Sequence, residues 1–248
     1  FVKKYPRTVL ITGGTSGIGL SCVFLFLKKN WNVICFAKTS ISIKNIKKKL
    51  DGNLNNIEFY EVDLSKKGAV EKFFKKKKFK FNNIDEIINS AGVATSTKIE
   101  DLSENEWHSV FHINVNSCFQ IIKESIKYMD KSRSPTIVNI SSIAGRLRSI
   151  SLSCAYSSSK AAIIGMTRHL AMELSPFGIR INCLAPGQTL TPMLESALSE
   201  KDQKILANNL PLKRLAKPEE QAKIIYFLCS EDSSYINGAI IDSNGGAM

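Results

Sequence analysis

A tyrosine and a lysine four residues apart are the side chains of this sequence best placed to move a proton. They bound the segment Tyr156-Ser157-Ser158-Ser159-Lys160, which opens a long stretch of helical periodicity, so both should lie on one face of a helix. A tyrosine free in water has a pKa of about 10, which makes it a weak acid at neutral pH. Because a nearby ammonium group stabilises the phenolate, this spacing indicates a tyrosine prepared for proton transfer.

Two further polar residues stand in otherwise apolar surroundings. Ser142 closes a Val- and Ile-rich run that predicts a strand, and Asn114 lies in the middle of a long amphipathic stretch. We include both in the candidate constellation, since polar side chains in apolar segments need a structural or chemical reason.

A glycine-rich turn follows the first apolar run. The segment is Thr12-Gly13-Gly14-Thr15-Ser16-Gly17-Ile18-Gly19, and it leads directly into a predicted helix. Glycines here permit a tight turn and let a phosphate approach the helix N–H groups. The spacing differs from the commoner G-x-G-x-x-G, so the turn alone is weak evidence for a nucleotide site.

The elements that must position these residues alternate along the chain. Seven short apolar runs predict strands, at 8–12, 32–37, 57–62, 84–89, 136–141, 179–185 and 239–242. Helical periodicity lies between them, at 17–29, 43–50, 66–78, 103–129, 154–175 and 218–229. Continuous apolar strands separated by helices predict an α/β fold, a Rossmann-type doubly wound parallel sheet of about seven strands with helices on both faces.

Length and composition favour one globular unit. The chain has 248 residues, of which 44% are hydrophobic and 23% charged, and it contains no linker or internal repeat. We therefore predict a single dinucleotide-binding domain over 1–248, with the irregular segment 188–209 as a lid over the substrate. No apolar run approaches the length of a membrane span, and the first residues are too polar for a signal peptide, so we expect a cytoplasmic protein.

The net charge of +12 attracts anions without choosing among them. Much of the excess lies in the lysine runs 47–49 and 75–78, which are typical of solvated helix faces, and no aromatic–basic pattern of a nucleic-acid protein accompanies them. The six cysteines form no C-x-x-C pair, and His108 and His112 lack a third ligand. We therefore predict neither a nucleic-acid partner, a membrane contact, a disulfide frame nor a metal site.

At this point the sequence closely resembles the short-chain dehydrogenases/reductases in their compact single-domain form. The motifs that carry the resemblance span almost the whole chain and are Thr12-Gly13-x3-Gly17-Ile18-Gly19, Asp63-Leu64, Asn89-Ser90-Ala91-Gly92, Asn114, Ser142, Tyr156-x3-Lys160, Asn182 and Pro186-Gly187. The resemblance implies an oxidoreductase that transfers hydride between a nicotinamide and a carbonyl or secondary alcohol, with Tyr156 as general acid or base. It also implies that Lys160 supports the phenolate and holds ribose hydroxyls, that Ser142 binds the substrate oxygen, and that Asn114 holds a relay water.

The same resemblance assigns the cofactor-binding residues. Gly13, Ser16, Gly17, Ile18 and Gly19 would bind the phosphates. Asp63 and Leu64 would contact the adenine, and Asn89, Ala91 and Gly92 would line the adenosine ribose side. Pro186, Gly187, Thr189 and Thr191 would cradle the carboxamide and phosphates. A homodimer or homotetramer is implied as well.

The end of the second predicted strand favours NADP over NAD. Users of NAD in this family tend to have an acidic residue where this chain has Ala37, and the next residue is basic. Lys38, with Thr39 and Ser40, could therefore receive a 2′-phosphate. NAD remains possible, because the glycine turn has Thr15-Ser16 where NADP users often have a basic residue.

Several substrates and one other function stay open. The basic surface suits an acidic carrier protein, as in the 3-oxoacyl-carrier reductases of the family, but Pro176-Phe177-Gly178 stands where these often have a basic residue. A sugar or small ketone is the alternative, and Arg146 and Arg148 could bind an anionic group. Ser90, the Ser142-to-Tyr156 spacing and the ending Asp242–Gly246 depart from the family pattern. A non-catalytic dinucleotide sensor or interaction protein is the second function class.

Overall fold

Seven parallel strands form one sheet in a computed structural model that describes residues 6–50, 54–76, 79–81, 83–149 and 151–247. The order across the sheet is β3-β2-β1-β4-β5-β6-β7. The strands are β1 (Thr8–Thr12), β2 (Asn32–Ala37), β3 (Ile57–Glu61), β4 (Glu86–Asn89), β5 (Thr136–Ile140), β6 (Arg180–Pro186) and β7 (Ile240–Ser243). The predicted Rossmann-type fold class is confirmed, and the strand order reverses between β1 and β4, where such sheets bind their ligands.

Helices cover both faces of this sheet. They are α1 (Gly17–Lys28), α2 (Ser40–Lys49), α3 (Ala69–Lys76), α4 (Glu104–Phe111), α5 (Ser117–Ser125), α6 (Ile143–Arg146), α7 (Cys154–Leu174), α8 (Pro192–Ala197), α9 (Glu200–Asn209) and α10 (Pro218–Cys229). Successive strand residues contribute to two separate hydrophobic cores, one on each face of the sheet. Leu10 packs with α3, α5 and α7, whereas Val9 packs with α1, α2 and α10. The inner strands, such as β1 and β5, are thus buried on both faces, whereas the edge strands β3 and β7 are half-buried.

The strand register brings the predicted motifs to one edge of the sheet. Thr12, the last residue of β1, pairs with Asn89 of β4, and Asn89 pairs with Asn139 of β5. Because parallel strands all end at the same edge, the segments that follow β1, β4, β5 and β6 emerge side by side. This edge collects the glycine turn and the polar residues singled out from the sequence.

The single helix predicted over 103–129 is wrong in its continuity. The structure has α4, a π-helical turn over His112–Asn116, α5, and a 3₁₀ turn over Ile126–Tyr128. The π turn contains Asn114, whose side chain bonds to the backbone of Val93 outside the helix. An inserted residue of this kind often marks a functional site, and it is invisible to a 3.6-residue period.

Other boundaries differ by a few residues. The fourth strand begins two residues later than predicted, at Glu86, because Ile84 makes only an isolated bridge to Met129. The third predicted helix begins at Ala69, and its last two predicted residues, 77 and 78, lie outside the described residues. In the segment 188–209, both α8 and α9 form without a buried side chain.

In the part of the chain that the structure describes, no helix is long and apolar enough to cross a membrane.

Candidate active site

Tyr156 and Lys160 lie in the first turns of α7, beside the end of β5. Ser153 caps this helix by accepting a hydrogen bond from Tyr156 N at 3.2 Å. Only 7% of Tyr156 and 6% of Lys160 is exposed. Lys160 Nζ lies 5.7 Å from the centre of the Tyr156 ring and donates to Ile140 O at 2.9 Å. The predicted pair is thus on one helical face, with the ammonium close to the phenol ring.

Ser142 lies next to the same helix. It follows β5 directly and caps α6, its Oγ accepting from Ala144 N at 3.1 Å. Its neighbour Ser141 donates to Lys160 O at 2.7 Å, and this bond joins the strand end to α7. A Cβ at Gly145 would lie 2.5 Å from the Lys160 carbonyl carbon, so only glycine allows α6 to pack this closely on α7.

Asn114 connects three parts of the site through its side chain. Its amide group donates to Val93 O at 3.0 Å and to Ser159 Oγ at 2.9 Å, while its carbonyl oxygen accepts from Val93 N at 2.8 Å. Ser159 in turn donates to Tyr156 O at 2.7 Å. The π turn is therefore linked to the face of α7 that bears Tyr156 and to the segment after β4.

Gly92 lies where these side chains converge. A Cβ at this position would lie 3.2 Å from Asn114 Oδ1 and 3.4 Å from Lys160 Nζ. A side chain here would press on both groups, so the glycine leaves room above the amide and the ammonium.

A second link joins the segment after β4 to α7. Thr95 and Ser153 share two hydrogen bonds, one between their hydroxyl groups at 2.7 Å and one from Ser153 N to Thr95 O at 2.7 Å. Since Ser153 caps α7 at Tyr156, Thr95 supports the start of the helix that bears the candidate acid. This pairing could not be predicted from the sequence, although Ser153 is recognisable as a helix cap.

The glycine turn has the close backbone contacts that a dinucleotide site needs. Gly13 has a φ of +66° and Gly17 a φ of +50°, a region that favours glycine. A Cβ at Gly13 would lie 2.9 Å from Ala91 Cα, and one at Gly17 would lie 3.2 Å from Thr191 Cγ2. The structure thus brings the turn into contact with two of the other predicted cofactor segments. Ser16, at the N-cap of α1, makes no side-chain cap to the first-turn N–H groups.

Two segments are predicted to bind the adenosine end of the cofactor, Lys38-Thr39 and Asp63-Leu64, and some of their side chains already make other contacts. Thr39 caps α2, its hydroxyl accepting from Ser42 N at 3.3 Å, whereas Lys38 is exposed. Asp63 accepts from the Ser65 hydroxyl, and this bond, with a smaller contribution from Lys38, lowers the pKa of Asp63. Leu64 is buried in the core, 9% exposed.

The side chain of Asn89 is also used in a buried hydrogen bond. Its amide group donates to Asn139 at 2.9 Å, and Asn139 donates to Thr167 of α7 at 2.9 Å. This chain of buried amides ties β4 to β5 and α7, and it holds the strand end from which Ala91 and Gly92 project.

The segment after β6 is fixed to β7 and α10. Gly187 N donates to Ser243 O at 2.9 Å, and a Cβ at Gly187 would lie 2.7 Å from Asn244 Cα. Thr189 is buried and accepts from Gln221 at 3.3 Å, while Thr191 caps α8. This segment therefore starts from a rigid base.

Arg146, a predicted candidate for binding an anion, is already paired. Its Nε and Nη2 bond to the two carboxylate oxygens of Asp242, at 3.0 and 2.9 Å. Arg148 is exposed.

Neither histidine nor cysteine adds a further centre. The described residues contain no group of three or more His, Cys, Asp and Glu that could hold a metal ion. Five of the six free cysteines are buried, and burial raises the pKa of Cys35 to about 12 and of Cys183 to about 11. These thiols are inert packing groups.

Comparisons with known proteins identify the family of the chain. A family model described as short chain dehydrogenase matches residues 7–202. A 3-oxoacyl-acyl-carrier-protein reductase of Thermotoga maritima is 33% identical, covering 98% of both chains, and a 3beta-hydroxysteroid dehydrogenase of Mediterraneibacter gnavus is 31% identical, covering 97% of this chain and 94% of the relative. A solved structure of 4-hydroxyisoleucine dehydrogenase complexed with NADH superposes with a TM-score of 0.87 at 28% identity, covering 97% and 98% of the two chains.

The family match covers most of the chain, and the relatives are matched almost from end to end. The chain therefore belongs to the short-chain dehydrogenase/reductase family, whose members are oxidoreductases that bind a nicotinamide dinucleotide and act on alcohol and carbonyl groups.

Proposed function

We propose that the protein is an NADP-dependent carbonyl reductase or alcohol dehydrogenase in which Tyr156 is the general acid of reduction and the general base of oxidation. The observation that carries this proposal is the convergence of two buried groups, the Tyr156 phenol and the Lys160 ammonium, with Ser142 and Asn114 at the edge of the sheet that also bears the glycine turn. A bound nicotinamide cofactor supplies or receives the hydride.

The Ser142 hydroxyl and the Tyr156 phenol have different roles at the substrate oxygen. Ser142 Oγ accepts from Ala144 N, so its own hydrogen is available to donate to a carbonyl oxygen and to orient it. Tyr156 then transfers its proton to that oxygen as negative charge develops there. The Lys160 ammonium stabilises the phenolate that remains, and we assign to Asn114 the holding of the water that returns a proton.

We assign the cofactor to residues that follow four strands, β1, β3, β4 and β6, together with Lys160 of α7. Gly13, Ser16, Gly17, Ile18 and Gly19 would hold the phosphates, and the residues predicted for the rest of the cofactor are Asp63, Leu64, Asn89, Ala91, Gly92, Lys160, Pro186, Gly187, Thr189 and Thr191. Contacts of Gly13 with Ala91 and of Gly17 with Thr191 support one continuous site. Glycines in such a turn let a phosphate approach the backbone N–H groups at the start of α1.

A preference for NADP rests mainly on Lys38. The exposed Lys38 follows β2, and no carboxylate stands at Ala37 to bind a 2′-hydroxyl. The Thr39 hydroxyl already caps α2, so Thr39 contributes less than the sequence suggests. Titration of the protein with NADPH and NADH, followed by cofactor fluorescence, tests this preference. Tighter NADH binding would overturn it and leave the reductase assignment in place.

The substrate is a carbonyl or alcohol compound whose identity the site leaves open. The relatives include a reductase of carrier-bound 3-oxoacyl groups and a hydroxysteroid dehydrogenase. Leu190, Met193 and Ile205 expose 40%, 44% and 50% of their surface in the segment 188–209. We assign this segment of the predicted single domain as the lid that covers the substrate and excludes water.

Replacement of Tyr156 tests the chemistry. Tyr156→Phe removes only the phenolic oxygen, so cofactor binding should persist while turnover falls roughly 100- to 10,000-fold, the range for loss of a positioned acid. Tyr235→Phe, at a fully exposed tyrosine, is the matched control and should keep the wild-type rate. A Tyr156→Phe variant with the wild-type rate would overturn the mechanism.

A wild-type protein that binds the cofactor and turns over no carbonyl compound would instead support the sensor alternative. A cytoplasmic location and a homodimer or homotetramer stay predictions.

A further inference from the structure

An ion pair joins α6, the short helix after β5, to β7, a strand that is not adjacent to β5 in the sheet. Arg146 follows β5 and Asp242 belongs to β7, with β6 between them. The guanidinium fork meets both carboxylate oxygens, at 3.0 and 2.9 Å, and each side chain is 28% exposed. Such a bidentate contact fixes direction as well as distance.

At one end, the pair holds the residue proposed to orient the substrate. Arg146 is the last residue of α6, which begins immediately after Ser142. Ser142 accepts from Ala144 N through Oγ and from Gly145 N through its carbonyl oxygen, at 3.1 and 3.0 Å. A displacement of Arg146 is therefore transmitted to Ser142 through one turn of backbone.

At the other end, the pair meets the strand that supports the cofactor segment. Asp242 pairs with Ala185 of β6, and the next residue, Ser243, accepts the backbone N–H of Gly187 at 2.9 Å. Gly187 is the second residue of the segment that we assign to the carboxamide end of the cofactor. Asp242 is thus one residue away from the anchor of that segment.

The helix that bears Arg146 is a single turn that buries few side chains. A four-residue helix has no intrinsic stability, and in α6 only Ala144 is buried. Its packing of Gly145 on Lys160 supports one side, and the Arg146–Asp242 pair is its ionic contact on the other. Because α6 is so short, loss of the ionic contact should shift its position.

We propose that the Arg146–Asp242 ion pair is a positioning device, which sets Ser142 relative to the cofactor segment Pro186–Thr191. Arg146 is then a positioning residue and not a binding site for an anionic substrate, because the carboxylate that occupies its fork would repel a second anion. This inference rests on the proposed function of Ser142.

Steady-state kinetics test the proposed positioning without replacing any of the candidate catalytic residues. Asp242→Asn and Arg146→Leu should each lower kcat about tenfold, as expected when an orienting group is slightly misplaced, with KM for NADPH nearly unchanged. The double variant should lose no more than either single variant, since all three break the same contact. Arg146→Lys should recover part of the loss, because its charge remains while its fork is lost.

A matched pair of substrates separates positioning from anion binding. Acetoacetyl-coenzyme A carries phosphates, whereas the acetoacetyl thioester of N-acetylcysteamine is neutral and presents the same reacting carbonyl. Positioning predicts the same fold-change for both. A selective rise in KM for the coenzyme A ester in Arg146→Leu, with Asp242→Asn unaffected, would overturn the proposal.

Hydrogen exchange gives a readout that needs no turnover. In the protein without substrate, Asp242→Asn should speed exchange at the amides of Gly145 and Leu147, which bond within α6. Arg148→Leu, two residues from Arg146, is the control and should leave these rates unchanged. Unchanged rates in Asp242→Asn would overturn the positioning device, whereas a wild type without reductase activity would overturn the proposed function and leave the exchange result to decide this inference.

Discussion

Glu86 offers a sharp test of how burial of a charge controls the stability of this protein. It opens β4 with no exposed surface, and Arg7 binds its Oε1 through two bonds, of 3.1 and 2.6 Å. Its other oxygen has no hydrogen-bond partner in the described part of the chain. Burial raises the pKa of Glu86 to about 8 from an ordinary value of 4.5, with Arg7 opposing the rise and Asp85 adding to it.

The direction of the pH dependence follows from the proton count. Between about pH 4.5 and pH 8 the folded protein holds a proton on Glu86 that the unfolded chain has released. The stability from this group is therefore complete below about pH 4.5 and falls as the pH rises towards 8. At about 1.4 kcal/mol per pKa unit, the loss across the window is roughly 5 kcal/mol, a large part of a typical folding free energy.

The substitution Glu86→Gln removes the titration and keeps the shape. The amide carbonyl can still accept from Arg7, so the variant should gain stability relative to the wild type as the pH rises from 5 to 8. Urea denaturation at each pH measures this difference, with Glu195→Gln on the exposed face of α8 as control. A difference that stays constant over the range, or that changes with the opposite sign, would refute the reasoning.

Three other substitutions test the cofactor site, the catalytic packing and the core. Lys38→Glu should lose the NADPH preference and favour NADH, which fluorescence titration with both cofactors would show; an unchanged preference would exclude Lys38 as the phosphate contact. Gly145→Ala places a methyl group against the backbone of Lys160, which bears both the ammonium beside Tyr156 and the proposed ribose contact, and should lower kcat/KM at least tenfold. A wild-type kcat/KM would contradict the packing argument. Phe26→Ala deletes a fully buried ring and should cost about 3–5 kcal/mol of unfolding free energy in urea, and a cost below 1 kcal/mol would contradict its placement.

The sheet could be predicted because its strands are apolar on both faces. β1 and β2 begin and end where the Val- and Ile-rich runs do, since every position in them except Asn32 is buried. The helix over 103–129 could not be predicted in detail, because the π turn arises from a bond between Asn114 and Val93, residues 21 apart in sequence. Local periodicity carries no information about such a contact.

The candidate site, too, could be predicted from the sequence only in part. Tyr156 and Lys160 were recognisable because both lie on one helix, four residues apart. The four-residue α6 is too short to show periodicity, and the partner of Arg146 lies 96 residues away. From the sequence, Arg146 was therefore indistinguishable from a free surface arginine such as Arg148, and only the fold tells the two apart.

The absence of buried side chains in α8 and α9 has a consequence for how this protein can change. Neither helix contributes to the two cores, so substitutions there alter the folding free energy little. The segment that we assign to substrate selection can therefore diverge at little cost in stability, while Tyr156 and Lys160, which are buried, stay fixed by their packing. Replacing residues 192–209 with the corresponding segment of a relative is thus a direct route to a new substrate range in an unchanged scaffold.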